Sequence, residues 1–421
     1  MKNKAMQDPR SPGVTPYTWY LAGTATWFFA IGVQNVMFTY LVTTVLHAPP
    51  NQVGLAQTSL TILSAAFMLV GGALADRVDR RWLLMLCHAA AAVPPLVLVA
   101  VLSMDALAYE WLIAYGLAIG LVTAFILPAR EATLADVLAN GNGSGLQKAV
   151  TTMVGIQFLA QIAGMLIARF AALTGPQAII FAQVIAQGLG LWATWRLPRG
   201  KHARRGEQEE GSQWRRIKAG LGAVATSPAL LPVTVLTLAI GTLYIGSFLV
   251  VLPVILREEF GGDVQQISTM QVCFWGGTIV SSFAIGRIGH IVHRGRLIVA
   301  AVATGATVLA LLSIQAPLFV LYGLIFTWGL GAGVMISMSR TAVQEHAPTA
   351  LRARVMSVFQ LGFTGGTAIG AILAGIAVEI LGARHATLFP SIMMAIILVL
   401  LVTRTQLMNI RAISLDEGKS G

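Results

Sequence analysis

Gly71-Gly72-Ala73-Leu74-Ala75-Asp76-Arg77-Val78-Asp79-Arg80-Arg81 is the stretch whose reading decides the fold. It closes one long apolar run, about 52–74, and opens another, about 82–103, so a short charged turn joins two hydrophobic helices. Small residues at the end of the first helix allow a neighbour to approach closely. A carboxylate there can accept hydrogen bonds from a nearby helix N-terminus and pair with arginines. Such a cluster can latch two parts of a helical bundle together.

The rest of the chain has the same character. Only 11% of its 421 residues are charged and 56% are hydrophobic, a balance no soluble domain of that size needs. A helix needs roughly 20 apolar residues to cross the hydrocarbon core. Twelve runs meet that length, near 18–42, 52–74, 82–103, 107–128, 146–169, 176–197, 228–256, 264–288, 296–314, 317–339, 353–379 and 386–404. An even number places both ends on one side. Of the 28 Lys and Arg, only Arg169, Arg257 and Arg384 then fall towards the other face, so the positive-inside rule puts both termini in the cytoplasm of a bacterial-type cell, with the chain in its inner membrane. The net charge of +11 thus reflects topology and anionic lipid, and no large soluble domain exists to carry a nucleic-acid surface. The polar opening without a cleavage site predicts that the first run is a retained helix. Cys87 and Cys273 both fall inside predicted helices and form no disulfide or metal framework.

The longest polar interruption divides the chain. The expected organisation is a cytoplasmic lead at 1–17, a six-helix bundle at 18–197, a cytoplasmic linker at 198–227, a second bundle at 228–404 and a tail at 405–421. After Ser212 the linker spaces Trp214, Ile217, Leu221 and Val224 as an amphipathic helix for the inner leaflet. Internal echoes relate the halves. Ala30-Ile31-Gly32 recurs as Ala239-Ile240-Gly241, Leu146-Gln147-Lys148-Ala149-Val150 as Leu351-Arg352-Ala353-Arg354-Val355, and the charged turn as Gly286 to Arg296, with His290 in the place of Asp76. Two related bundles predict a site between them near the membrane midplane.

Glycines followed by Asp76-Arg77-Val78-Asp79-Arg80-Arg81 between the second and third helices resemble the signature loop of the major facilitator superfamily of secondary transporters. The resemblance covers about 18–404. Gln52-Val53-Gly54-Leu55, Pro128-Ala129-Arg130-Glu131-Ala132 and Leu351 to Ser357 are similar to the branch containing the enterobactin exporter and secretion-type transporters. The implied fold is all-α, with twelve membrane helices in two pseudo-symmetric bundles. The implied gate is Asp76 at the start of the eleventh helix near Arg352 and Arg354, with Gly71 and Gly72 for close packing, Arg77, Arg80 and Arg81 on the loop, and Arg130 as a partner for Asp76. Two features depart from the exporter pattern. The fifth helix keeps Gly164 but lacks the proline and later glycines, and no basic residue lies between Glu110 and Arg130 in the fourth.

Polar side chains inside membrane helices either line a pathway or bridge helices. Gln34, Asn35, Gln157, Gln161, Tyr244, Gln271, Trp328 and Gln360 are the cavity candidates, a set suited to an uncharged or amphipathic substrate. The pair Gln183 and Gln187 reads as packing, and His88 as a packed residue rather than a proton relay. All seventeen Asp and Glu fall in loops or near helix ends, leaving Glu110 as the nearest candidate for proton coupling. No metal-ligand spacing, nucleophile elbow or nucleotide-binding loop is present, so neither an enzyme nor an ATP-driven pump is expected, and no cofactor. The expected activity is proton-motive export of a small amphipathic molecule, such as a siderophore or drug, by a monomer in the bilayer. Uptake by the same fold and a non-transporting receptor are the alternatives.

Overall fold

In lipid every backbone polar group must be satisfied within the segment, so apolar runs of this length have helix as their route. The computed structural model describes residues 16–75, 77–138, 144–198, 213–288, 291–348 and 351–410, and Asp76 and His290 lie outside these residues. The long helices are α1 (Pro16–Val45), α2 (Pro50–Ala75), α3 (Arg80–Ser103), α4 (Tyr109–Leu138), α5 (Ser144–Ala168) and α6 (Pro176–Trp195) in the first half. The second half holds α7 (Leu230–Phe260), α8 (Val264–Ile288), α9 (Arg294–Leu311), α10 (Leu318–His346), α11 (Arg352–Leu381) and α12 (Leu388–Arg404). A separate helix, Gln213–Thr226, lies between the halves, with Gly220 against the Arg354 backbone at the start of α11.

Eleven of the described helices are long and apolar enough to cross a membrane. The remaining one, α8, has the length, 25 residues, but carries Gln265, Gln266 and Gln271. It packs against α5, α1 and α10, which bury Gln271, while Gln266 donates to the Phe260 carbonyl and Gln265 is exposed near the distal end. We call the side on which α1 begins and α12 ends the terminal face, and the opposite side the distal face.

Local chemistry sets the helix ends. Asp79 is extended (φ −62°, ψ 113°) and its carboxylate accepts the Arg81 amide at 2.9 Å, which starts α3. Gly261, at φ 86°, ends α7 in the left-handed region that a side chain disfavours. Pro94 and Pro95 lie inside α3 without ending it, as packed membrane helices permit.

The halves repeat one packing plan. In the first, α1 packs on α5, α2 on α4 and α3 on α6; in the second, α7 packs on α11, α8 on α10 and α9 on α12. The echoed glycines stand at equivalent crossings: a Cβ on Gly32 would lie 3.1 Å from the Gly164 Cα of α5, and one on Gly241 would lie 3.2 Å from the Gly366 carbonyl carbon of α11. The echo of the charged turn is also structural. Arg80 donates to the Ala132 carbonyl at the end of α4 (3.1 Å), and Arg294 at the start of α9 pairs with Glu345 at the end of α10.

Candidate functional site

The site lies where the two halves face each other. A cavity of about 320 Å³ is lined by α1, α2 and α4 on one side and α7 to α11 on the other. The first half contributes Asn35, Thr61, Ser64 and apolar side chains; the second contributes Tyr244, Phe248, Phe274, Trp275, Trp328 and Phe363. Most of these rings interlock. Phe274 lies 4.3 Å from Phe248 and 5.6 Å from Trp328 between centroids, and Tyr244 meets Trp328 edge-on at 5.6 Å. No Asp, Glu, Lys, Arg or His is among the lining residues.

Around Tyr244 and Phe248, α7 widens into π-helical turns over Ile240–Ile245 and Ser247–Val251. Such turns re-aim side chains and recur at functional sites. The Tyr244 hydroxyl donates to the Val302 carbonyl at 2.7 Å, so the ring rather than the hydroxyl faces the cavity.

The cavity is shut on the distal side. Thr58 of α2 donates to the Ala368 carbonyl of α11 at 2.9 Å, and Ser268 of α8 donates to the Met165 carbonyl of α5 at 2.6 Å. Since α2 corresponds to α8 and α11 to α5, these are one contact made twice. Arg257 then reaches across from α7 to the Thr43 and Ala48 carbonyls at 3.3 and 2.7 Å, and Thr44 donates to the Gly262 carbonyl at 2.6 Å. Replacing Arg257 by Gln removes charge-assisted bonds worth about 2 kcal/mol. Hydrogen exchange over residues 43–48 is expected to quicken in that variant, with the terminal halves of the helices unchanged.

Towards the terminal face the wall ends in exposed side chains, Ile336 and Gln360. Across this mouth Arg340 pairs with Glu131, 3.8 Å apart and 59% and 80% exposed. An ion pair so exposed contributes ~0–1 kcal/mol. The buried distal hydrogen bonds and helix packing outweigh this pair, so the described residues form a terminal-open, distal-closed arrangement.

Five of the eight cavity candidates, Asn35, Tyr244, Gln271, Trp328 and Gln360, stand in the wall. Gln34, Gln157 and Gln161 do not. The close crossing at Gly32 and Gly164 presses α5 onto α1 and leaves no space on that face, so Gln161 is buried there, and Gln157, one turn earlier on α5, is half-buried. Gln34 is buried with its amide oxygen 3.4 Å from the Tyr115 hydroxyl. Gln183 donates to Tyr115 at 2.8 Å and Gln187 meets His88 Nδ1 at 2.8 Å, which places both amides and the histidine in packing between α3, α4 and α6. Glu110 is exposed at the distal end of α4, away from the cavity.

The signature turn is partly described. Gly71 lies against the Ala124 carbonyl of α4, with Gly72 beside Pro128. Arg80 also donates to the Ala75 carbonyl, Arg81 donates to the Trp195 carbonyl at the end of α6, and Arg77 is exposed. Arg130 is buried, its guanidinium 4.6 Å over the Phe28 ring and its carbonyl accepting from Tyr20. Arg352 is exposed and Arg354 half-buried at the start of α11. The pairing expected for Asp76 lies outside the described residues.

Sequence reasoning missed Phe248, Phe274, Trp275 and Phe363 because aromatic residues in an apolar run carry no mark of facing a cavity rather than a core. A signal existed on α8, where Ser268, Gln271, Trp275 and Thr278 recur at helical spacing and form a polar and aromatic stripe.

The profile of the family described as transmembrane secretion effector matches residues 18–419. The chain belongs to that family. It is a membrane transporter of the major facilitator type and not an enzyme. No curated protein matches it significantly. Among solved structures it resembles a variant of the nucleoside transporter NupG (TM-score 0.74, 14% identity, covering 92% of this chain and 99% of that one). A POT family transporter in complex with 5-aminolevulinic acid gives a TM-score of 0.75 at 13% identity, covering 92% and 96%. A bacterial homologue of the human lysosomal transporter Spinster, in an inward-facing and unoccupied conformation, gives 0.65 at 13%, covering 94% and 97%. At these identities the likeness concerns the fold alone, which this secretion effector family member shares over nearly its whole length.

Proposed function

We propose that the protein exports a small, uncharged, amphipathic molecule from the cytoplasm by alternating access, with the two six-helix bundles at 18–197 and 228–404 as the moving units and the linker at 198–227 between them. The observation that carries this reading is the charge-free aromatic cavity between the halves, sealed distally by two equivalent hydrogen bonds. A charged substrate entering such a wall would lose its hydration without a counter-charge, whereas a neutral aromatic compound buries apolar surface against the rings. Both termini are assigned to the cytoplasm of the bacterial-type inner membrane, because that orientation keeps most basic residues inside. The terminal-open form is then the loading state of an exporter, which agrees with the secretion described for the family.

Export is assigned to the proton gradient, with the carboxylate of Glu110 or another outside the wall as carrier, since the cavity lining itself contains no acid. The chain is assigned as a monomer. Deleting the gene is expected to make one small neutral compound accumulate inside cells and vanish from spent medium, and a protonophore should produce the same pattern in the parent. A compound left unconsumed outside would assign uptake instead. No difference in either compartment would favour a receptor.

A further inference from the structure

The cavity wall can be read group by group, because each buried polar atom needs a partner. Tyr244 spends its hydroxyl on Val302, and Thr61, Thr123 and Thr367 each donate to a carbonyl of their own helix. Two groups on α8 remain. The Gln271 amide oxygen and the Trp275 indole N–H are both buried in the wall, and neither has a hydrogen-bond partner in the protein. Gln271 is 1% exposed as a residue. At i and i+4 the two side chains leave one helix face, their Cβ atoms about 6 Å apart. Phe274 lies between them in sequence and packs on Phe248 and Trp328, so the acceptor and the donor are bordered by ring faces.

Resting on the reading of this cavity as the transport site, we propose that Gln271 and Trp275 select substrates that are planar, neutral and carry a hydrogen-bond donor and acceptor along one edge, the pattern of an aromatic lactam or amide. The ring stacks in the aromatic wall. Its N–H donates to the Gln271 oxygen, and its carbonyl accepts from the Trp275 indole. A buried acceptor and donor kept without partners are a cost the fold does not need. Their pairing by a ligand gives a reason for their presence, and it discriminates strongly against analogues that lack one of the two groups.

The test uses the purified full chain in lipid nanodiscs with three probes, 2-quinolinone, its N-methyl derivative and N-methylquinolinium. By calorimetry, 2-quinolinone is expected to bind about tenfold more tightly than the N-methyl lactam, in which a methyl group replaces the donor hydrogen. Gln271→Leu should erase that preference, and Trp275→Phe should weaken both lactams alike. Thermal unfolding separates selection from support: Gln271→Leu removes an unsatisfied group, so its Tm should stay level or rise while selectivity falls. Equal binding of the two lactams to the parent protein, or a lowered Tm in Gln271→Leu, would overturn the inference while leaving the cavity as a site for neutral aromatics. Failure of both lactams to bind, with or without binding of the cation, would overturn the neutral-substrate reading itself.

Discussion

Gly54→Leu is expected to abolish transport while leaving a folded protein whose distal face has opened. Gly54 lies where α2 crosses α11, and a Cβ there would meet the Ala371 carbonyl and come within 3.4 Å of the Gly375 Cα. Backbone cannot yield as a flexible side chain does, so overpacking of this kind costs ~1–3 kcal/mol or more. The two helices belong to different halves, however, and can part. Separating them at Gly54 also breaks the Thr58 bond to Ala368, four residues further along α2, so the variant should settle in the state in which this seal is absent. The measurement is hydrogen exchange. Residues 50–58 and 368–379 should become fast while the contacts within each half stay protected.

Gly32→Leu makes the same collision and should have the opposite outcome. A Cβ on Gly32 would overlap the Gln161 carbonyl and approach Gly164, but α1 and α5 lie in the same half and have no second arrangement to adopt. Within that half α1 is also held by α6. The clash must be absorbed inside one bundle, at a cost of about 4 kcal/mol or more, a large fraction of a typical folding stability. Little folded protein should reach the membrane, as detergent extraction followed by size-exclusion chromatography would show. The contrast between the two glycines is the sharper result. Equivalent collisions should yield a trapped transporter in one case and a misfolded one in the other, because in only one case does the fold have an alternative state to fall into.

Much of this architecture was legible in the chain. The apolar runs became helices because lipid leaves the backbone few alternatives, and the spacing of Gly71, Gly72 and the arginines marked a tight turn that Arg80 and Arg81 do staple to α2, α4 and α6. The repeat Ala30-Ile31-Gly32 and Ala239-Ile240-Gly241 was legible as an echo, and the structure gives its physical content as two equivalent close crossings.

The direction of side chains was less legible. An amide in an apolar helix announces that it needs a partner without saying whether that partner is a substrate or a neighbouring helix. Gln34 lies beside Tyr115, and Gln161 is buried at the α1–α5 crossing, whereas Gln271, of the same residue type, stands in the cavity wall. The deciding factor is how closely two helices cross, and that depends on glycines in both. Arg257 illustrates a second limit. The sequence placed it on the less basic face, but its role depends on the Thr43 and Ala48 carbonyls, more than two hundred residues away in the chain.

Alternating access requires the distal seal to break in every cycle. Asn51 and Glu379, whose side chains meet at 3.4 Å across that seal, offer a place to prevent it. In a background with Cys87 and Cys273 replaced by alanine, cysteines at positions 51 and 379 would be joined by a short bifunctional thiosulfonate. The predicted result is complete and reversible arrest, with transport returning on reduction and each single-cysteine protein unaffected by the reagent. A cross-linked protein that still transports at its full rate would contradict the account, because substrate would then be crossing without the distal face ever opening.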